Sequence, residues 1–171
     1  MKKLKLIQEQ GHTLVELESG NMTANETREL PEDTPGYIVE RRHGRETVMG
    51  VLYESESKSK KLSEMIRDMP VQLDGHAREI VDALIVHLKT VDSLIAEISH
   101  SWDIDRMPLV DLAILRIATL EIKEFESIPA AVIVSEAVEL ATKYSTESSS
   151  PFINGVLAGI CSKLRPEEKI S

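Results

Sequence analysis

Three arginines, Arg41, Arg42 and Arg45, fall within five residues at what reads as the start of an amphipathic helix, in a chain of formal net charge −9. Cations there oppose the helix macrodipole, at about 0.3–1 kcal/mol each when exposed. The free N–H groups of a first helical turn already attract anions, and arginines added to them make a phosphate site. A bound phosphate would relieve both the mutual repulsion and the clash with the dipole. The alternative is that the arginines pair with surface carboxylates such as Glu40 and Glu46.

Two Glu-x-x-His spacings, Glu40–His43 and Glu97–His100, also have chemical content, because di-metal helical bundles use two such motifs with two further glutamates. Here Arg41 and Arg42 stand inside the first motif and would repel a divalent cation. Ser99 and Ser101 beside His100 read as a solvated helix end. His12, His76 and His87 share no ligand spacing. No phosphate-cradling glycine loop or nucleophile elbow occurs. Cys161, the single cysteine, excludes an internal disulfide and a zinc knuckle, and its apolar setting reads as core. No metal or cofactor is expected, and catalysis has no positive support.

The elements that must position these residues are helical. Hydrophobic residues make up 42% of the chain but aromatics only 4%, so the core is aliphatic, which favours helix packed on helix. Residues 1–38 read as an N-terminal extension: LKLIQEQGHTLVELE alternates around Gly11 as a weak hairpin would, and the polar, proline-broken NMTANETRELPEDTPG reads as a loosely structured linker. Residues 39–171 form the helical domain. Apolar periodicity places helices at about 39–56, 59–68 and 75–100, then from Met107-Pro108 with Asp105 as cap, from Pro129 to Tyr144, and from the Ser148–Pro151 region to Leu164.

The fourth of these, LVDLAILRIATLEI, is apolar nearly all round and belongs in the middle of a bundle. Asp111 and Arg116 interrupt it, either as polar bridges between helices or with one of them reaching a ligand. Trp102 reads as a packing anchor. Gly155 and Gly159, four apart, suggest close helix–helix approach. The basic start has no apolar run suited to a signal peptide, and no segment reaches a membrane span. A cytoplasmic protein without membrane association is expected, and the acidic balance argues against indiscriminate nucleic-acid binding.

The runs DRMPLVDLAILRIATLEI, IPAAVIVSEAVELATKYS and SSPFINGVLAGI, with RRHGRETVMGVLY ahead of them, resemble the NusB family of transcription antitermination factors in order and spacing. The resemblance covers about residues 39–165; residues 1–38 have no counterpart. It implies an all-α fold of two packed three-helix bundles. It also implies a protein that is not an enzyme and binds a boxA-like single-stranded RNA together with NusE, a small-subunit ribosomal protein. That pair joins the RNA polymerase elongation complex.

Carried over by position, Arg41, Arg42 and Arg45 match the family's basic RNA-contacting cluster. Tyr53 matches a tyrosine near that surface, Phe152 a phenylalanine lying against the RNA, and Asp105 and Asp111 acidic positions that accept from base edges. With three phosphates contacted, log K would fall with log salt at a slope near roughly −2. Residues Glu121 to Ile133 are the expected partner-facing stretch. His43, Gly44 and Ser148 depart from the pattern, where a basic residue, an alanine and an acidic residue are common. The alternative is a helical protein-interaction module without RNA binding.

Overall fold

The structure is a computed structural model that describes residues 30–73, 75–100 and 102–168, together with the backbone of two strands nearer the N-terminus. Strands β1 (Leu4–Glu9) and β2 (His12–Leu17) pair antiparallel, from Leu4 opposite Leu17 to Glu9 opposite His12. The hairpin expected around Gly11 therefore forms and lies alongside the first helix. Gly11 itself and most of the expected linker fall outside the described residues.

Six helices follow: α1 (Gly36–Ser57), α2 (Leu62–Arg67), α3 (Gly75–Ile98), α4 (Leu109–Glu124), α5 (Ala130–Tyr144) and α6 (Ser149–Leu164). Prolines 35, 108 and 129 immediately precede α1, α4 and α5. A ring that fixes φ near its helical value and lacks an N–H is at no disadvantage there. The first helix thus begins at Gly36, one turn earlier than its periodicity suggests. Asp105 does not cap α4; it lies in a 3₁₀ turn, Ile104–Arg106, that Asp103 caps by accepting from the Asp105 N–H.

Helices α1–α3 and α4–α6 form two three-helix bundles that share α4 as their centre, which packs against α1, α3, α5 and α6. Every α4 residue from Val110 to Ile122 is buried, as expected of a helix apolar on all sides. Leu84 and Ile95 of α3, Ile114, Leu115 and Leu120 of α4, and Ile153 and Ile160 of α6 are essentially sealed from solvent. Each such side chain contributes about 1.5–3 kcal/mol by burial.

Two glycines mark close approaches. A Cβ on Gly44 would lie 2.9 Å from the Ala77 backbone nitrogen, so α1 meets the start of α3 there with no room for a side chain. A Cβ on Gly159 would lie 2.6 Å from Cγ2 of Ile98, while Gly155 faces open space. The close approach expected of the Gly155–Gly159 pair therefore occurs at one of its two members. No helix of the described residues is long and apolar enough to cross a membrane.

Candidate nucleic-acid interface

The three arginines take three different environments. Arg41, in the first turns of α1, is partly exposed, with its guanidinium carbon 5.8 Å from the centre of the Tyr37 ring. Arg42 reaches across to α5, donating from Nε and Nη2 to the two oxygens of Glu136 at 2.9 and 2.5 Å. This bond raises the pKa of the guanidinium further. Arg45 is only 4% exposed and donates from Nε to both oxygens of Glu121, at 3.0 and 2.8 Å. The helix periodicity explains the split: Arg41 and Arg45 are one turn apart, but only Arg45 has advanced under α3 and α4.

Arg45 thus lies inside the protein as the partner of Glu121, and the three arginines do not line one anion pocket. Glu46 adds to the negative field at Arg42, but Glu40 and Glu46 each accept a hydrogen bond elsewhere. Glu40 accepts from the His76 N–H at the start of α3, and Glu46 accepts from Lys143 of α5 at 2.6 Å. Glu97 of the second Glu-x-x-His motif pairs with Lys163. Both motif glutamates are thus engaged elsewhere, and no group able to hold a metal ion occurs among the described residues.

Glu121 is the centre of the buried polar cluster. It accepts from Arg45 and, at 2.7 Å, from Nε2 of His76, whose Nδ1 faces Glu79 Oε2 at 3.3 Å. Burial pushes the Glu121 carboxyl up, but the His76 hydrogen bond and the Arg45 charge outweigh it and leave the pKa below the usual range. Glu121 therefore cannot face a partner; within the stretch from Glu121 to Ile133, the exposed residues fall between Glu124 and Val132.

Asp111 is 3% exposed and accepts from the hydroxyls of Ser145 and Ser149, which fixes the corner between α5 and α6. In this arrangement the Asp111 carboxylate is committed to two buried hydroxyls and does not face the surface. Arg116 bridges to Asp92 of α3 and Glu56 of α1 at 2.8 and 2.6 Å. Asp111 and Arg116 are thus both bridges from α4 to neighbouring helices. Asp105 stays in water on the 3₁₀ turn.

Phe152 sits in the first turn of α6, half-buried against the core, with its ring centre 5.6 Å from that of Trp102. Tyr53 is half-buried on α1, eleven residues beyond Arg42 and three turns up the same side, roughly 16 Å along the axis. The ion pairs set the distance between the charged and aromatic groups. Arg45 binds the Glu121 end of α4, whereas Ser149, beside Phe152, binds the Asp111 end. Ten residues of α4 separate them, roughly 15 Å of helix. The arginines and Phe152 thus lie toward opposite ends of α4 and do not form one hollow.

Sequence reasoning missed the acceptors Glu121 and Glu136, because nothing in a linear pattern pairs residues so far apart. It also missed Arg165, which donates to the carbonyls of Glu121, Ile122, Phe125 and Ile128 and closes the end of α4. A groove of about 400 Å³ runs beside the Arg42–Glu136 pair, between Leu30-Pro31 and Val132 of α5.

The NusB family model matches residues 42–162. The transcription antitermination protein NusB of Listeria monocytogenes serotype 4a is 35% identical over 132 residues, covering 77% of this chain and 100% of its own length. That of Kineococcus radiotolerans is 36% identical, covering 72% of this chain and 93% of its own. Among solved structures, T. maritima NusB superposes with a TM-score of 0.66 at 30% identity, covering 75% of this chain and 94% of that one. A complex of the antitermination factors NusB and NusE with dsRNA gives a TM-score of 0.61 at 25% identity, covering 74% of this chain and 98% of that one. A central α4 carrying buried polar bridges, a serine-fixed corner at α6 and matches over the full length of relatives lead to one assignment: this chain belongs to the NusB family.

Proposed function

We propose that this protein is a transcription antitermination factor that binds a boxA-like single-stranded RNA together with NusE, and that the pair acts on the RNA polymerase elongation complex. The observation that carries this reading is the placement of Phe152. Its ring is half in water at a helix corner held by the Asp111–Ser149 hydrogen bond, a rigid support for an unpaired base. Asp105 is an exposed acceptor suited to base amino groups, and Arg41 and Arg42 are part-exposed cations suited to backbone phosphates. Tyr53 lies between the two ends along α1.

Family membership supports the reading, and a complex of NusB and NusE with dsRNA among the structural relatives supports its pairing of RNA with NusE. The net charge of −9 and the loss of Arg45 from the surface make binding by the chain alone weak. NusE supplies the remaining contacts, through the exposed part of the Glu124–Val132 stretch. The test is a titration of boxA RNA and a scrambled control, with and without NusE. Selective binding that tightens with NusE is the expected outcome; equal binding of both RNAs, or none in the presence of NusE, would reject it.

The carboxylate pairing of both Arg42 and Arg45 favours a second reading, a helical protein-interaction module without an RNA role. Capture of NusE that is indifferent to RNA and to replacement of Arg41, Arg42 and Phe152 would establish that one instead.

A further inference from the structure

Trp102 is the only tryptophan of the chain, and it is 52% exposed. A packing anchor would be sealed; this ring is not. It lies on the connection between α3 and α4, where its backbone is pinned at both ends. The Trp102 N–H donates to the Ser99 carbonyl at 3.0 Å, and its own carbonyl accepts from the Ser99 hydroxyl at 3.1 Å. The ring leans on Phe152 at a 51° tilt, within the range of favourable aromatic pairs. The indole is thus supported from behind while much of its surface remains in water.

The surroundings point to the occupant. Arg106, four residues on, is exposed and has no carboxylate partner among the described residues. Asp103 and Asp105 on the same connection are exposed acceptors, and the Thr146 and Ser148 hydroxyls are exposed just ahead of α6. An exposed flat ring with an exposed cation and two exposed acids within four residues of it along the chain suits a nucleobase with its phosphate better than an apolar protein face, which would require a broader greasy patch.

We propose that Trp102, backed by Phe152, is a second stacking platform for an unpaired RNA base, with Arg106 taking the adjoining phosphate. The inference rests on the RNA-binding reading above and extends the site from one ring to two. The two rings accommodate consecutive bases of the strand, and the sequence tolerance of stacking leaves selectivity to the acidic acceptors.

The lone tryptophan makes the test direct. Unlabelled boxA RNA is titrated into the intact chain, with NusE if needed, while indole emission is followed. Binding is measured in parallel from the anisotropy of a labelled copy of the same RNA. Where NusE carries tryptophan, its emission is subtracted using a W102F complex. Saturable quenching with the same midpoint as the anisotropy curve is expected. W102A should bind about 5-fold or more weakly, W102F within about 2-fold of the parent, and both should keep the parent's circular dichroism.

RNA binding with unchanged indole emission, or W102A binding RNA as tightly as the parent, overturns the proposal and leaves the RNA reading intact. Weakened NusE capture by W102A at unchanged RNA affinity also overturns it, by making the patch a protein contact. Failure of the parent to bind RNA at all is a different result, since it removes the RNA reading and this inference together.

Discussion

Arg45 holds its Nε 2.8 Å from Oε2 of Glu121, with the two side chains only 5% and 1% exposed. A pair so buried does not gain its full Coulomb attraction as net stability, because both ions have lost their water. Its importance lies in the asymmetry of loss, since removing one partner strands the other. An arginine that sequence position alone assigns to RNA is for this reason part of what holds α1, α3 and α4 together.

Replacing Arg45 by Ala should therefore destabilise the protein by roughly 3–5 kcal/mol, the cost of an uncompensated buried charge. Replacing Arg41, which has no such role, should stay within about 0.5 kcal/mol of the parent. Chemical denaturation of the two variants distinguishes them, and equal effects would refute the division of labour drawn here.

The same cluster predicts a pH dependence. Glu121 has a folded pKa below its unfolded one, so its contribution is present above the unfolded value of about 4.3 and fades as pH falls through the lower folded value. E121Q should be markedly less stable than the parent at pH 7, and the gap should narrow on acidification below about pH 4.5. Parallel denaturation curves across that range, with a constant gap, would show that the Glu121 charge is not involved.

Gly44 offers a test in which local and tertiary preferences conflict. Helix propensity favours Ala over Gly by about 1 kcal/mol. The backbone nitrogen of Ala77, 2.9 Å from the added Cβ, cannot rotate away. G44A should lower stability by about 1–3 kcal/mol despite the better propensity. A raised melting temperature would mean that α1 and α3 separate readily.

With Arg45 internal, at most Arg41 and Arg42 of the cluster can neutralise phosphates, so the cluster's share of the salt slope should be about −1.4, with about −0.7 more from Arg106 where it takes a phosphate. Arg42 must then exchange Glu136 for phosphate. E136Q, which loosens that hold, should tighten RNA binding, most visibly at low salt. An affinity that is flat between 50 and 200 mM salt in the parent and unmoved in E136Q would exclude both arginines as contacts.

Much of the fold could be read from the chain because its signals are local. Apolar spacing gave six helices, prolines marked three of their starts, and the all-round apolar character of α4 placed it centrally. The candidate site was less legible. Arg41, Arg42 and Arg45 look alike in sequence, and what separates them is α5 and α4, which arrive from far along the chain carrying Glu136 and Glu121. Asp111 looked free for the same reason, since Ser145 and Ser149 claim it only after α5 and α6 have folded back. Trp102 shows the converse: its apolar character suggested burial, yet the turn before α4 leaves it outside.

Asp111, Arg116 and Glu121 stand five residues apart along a rod that is otherwise greasy all round. Dispersion forces alone would let such a rod slide a turn along its neighbours with little loss. Each of these ions, however, has its match at one level only: the hydroxyls of the α5–α6 corner, the acids Glu56 of α1 and Asp92 of α3, and the Arg45 cation midway along α1 with the His76 imidazole at the start of α3. A slipped α4 would leave three ions unmatched out of water at once. The central helix consequently has a single seat, and the intermediate packings that blur a purely aliphatic core are closed to it.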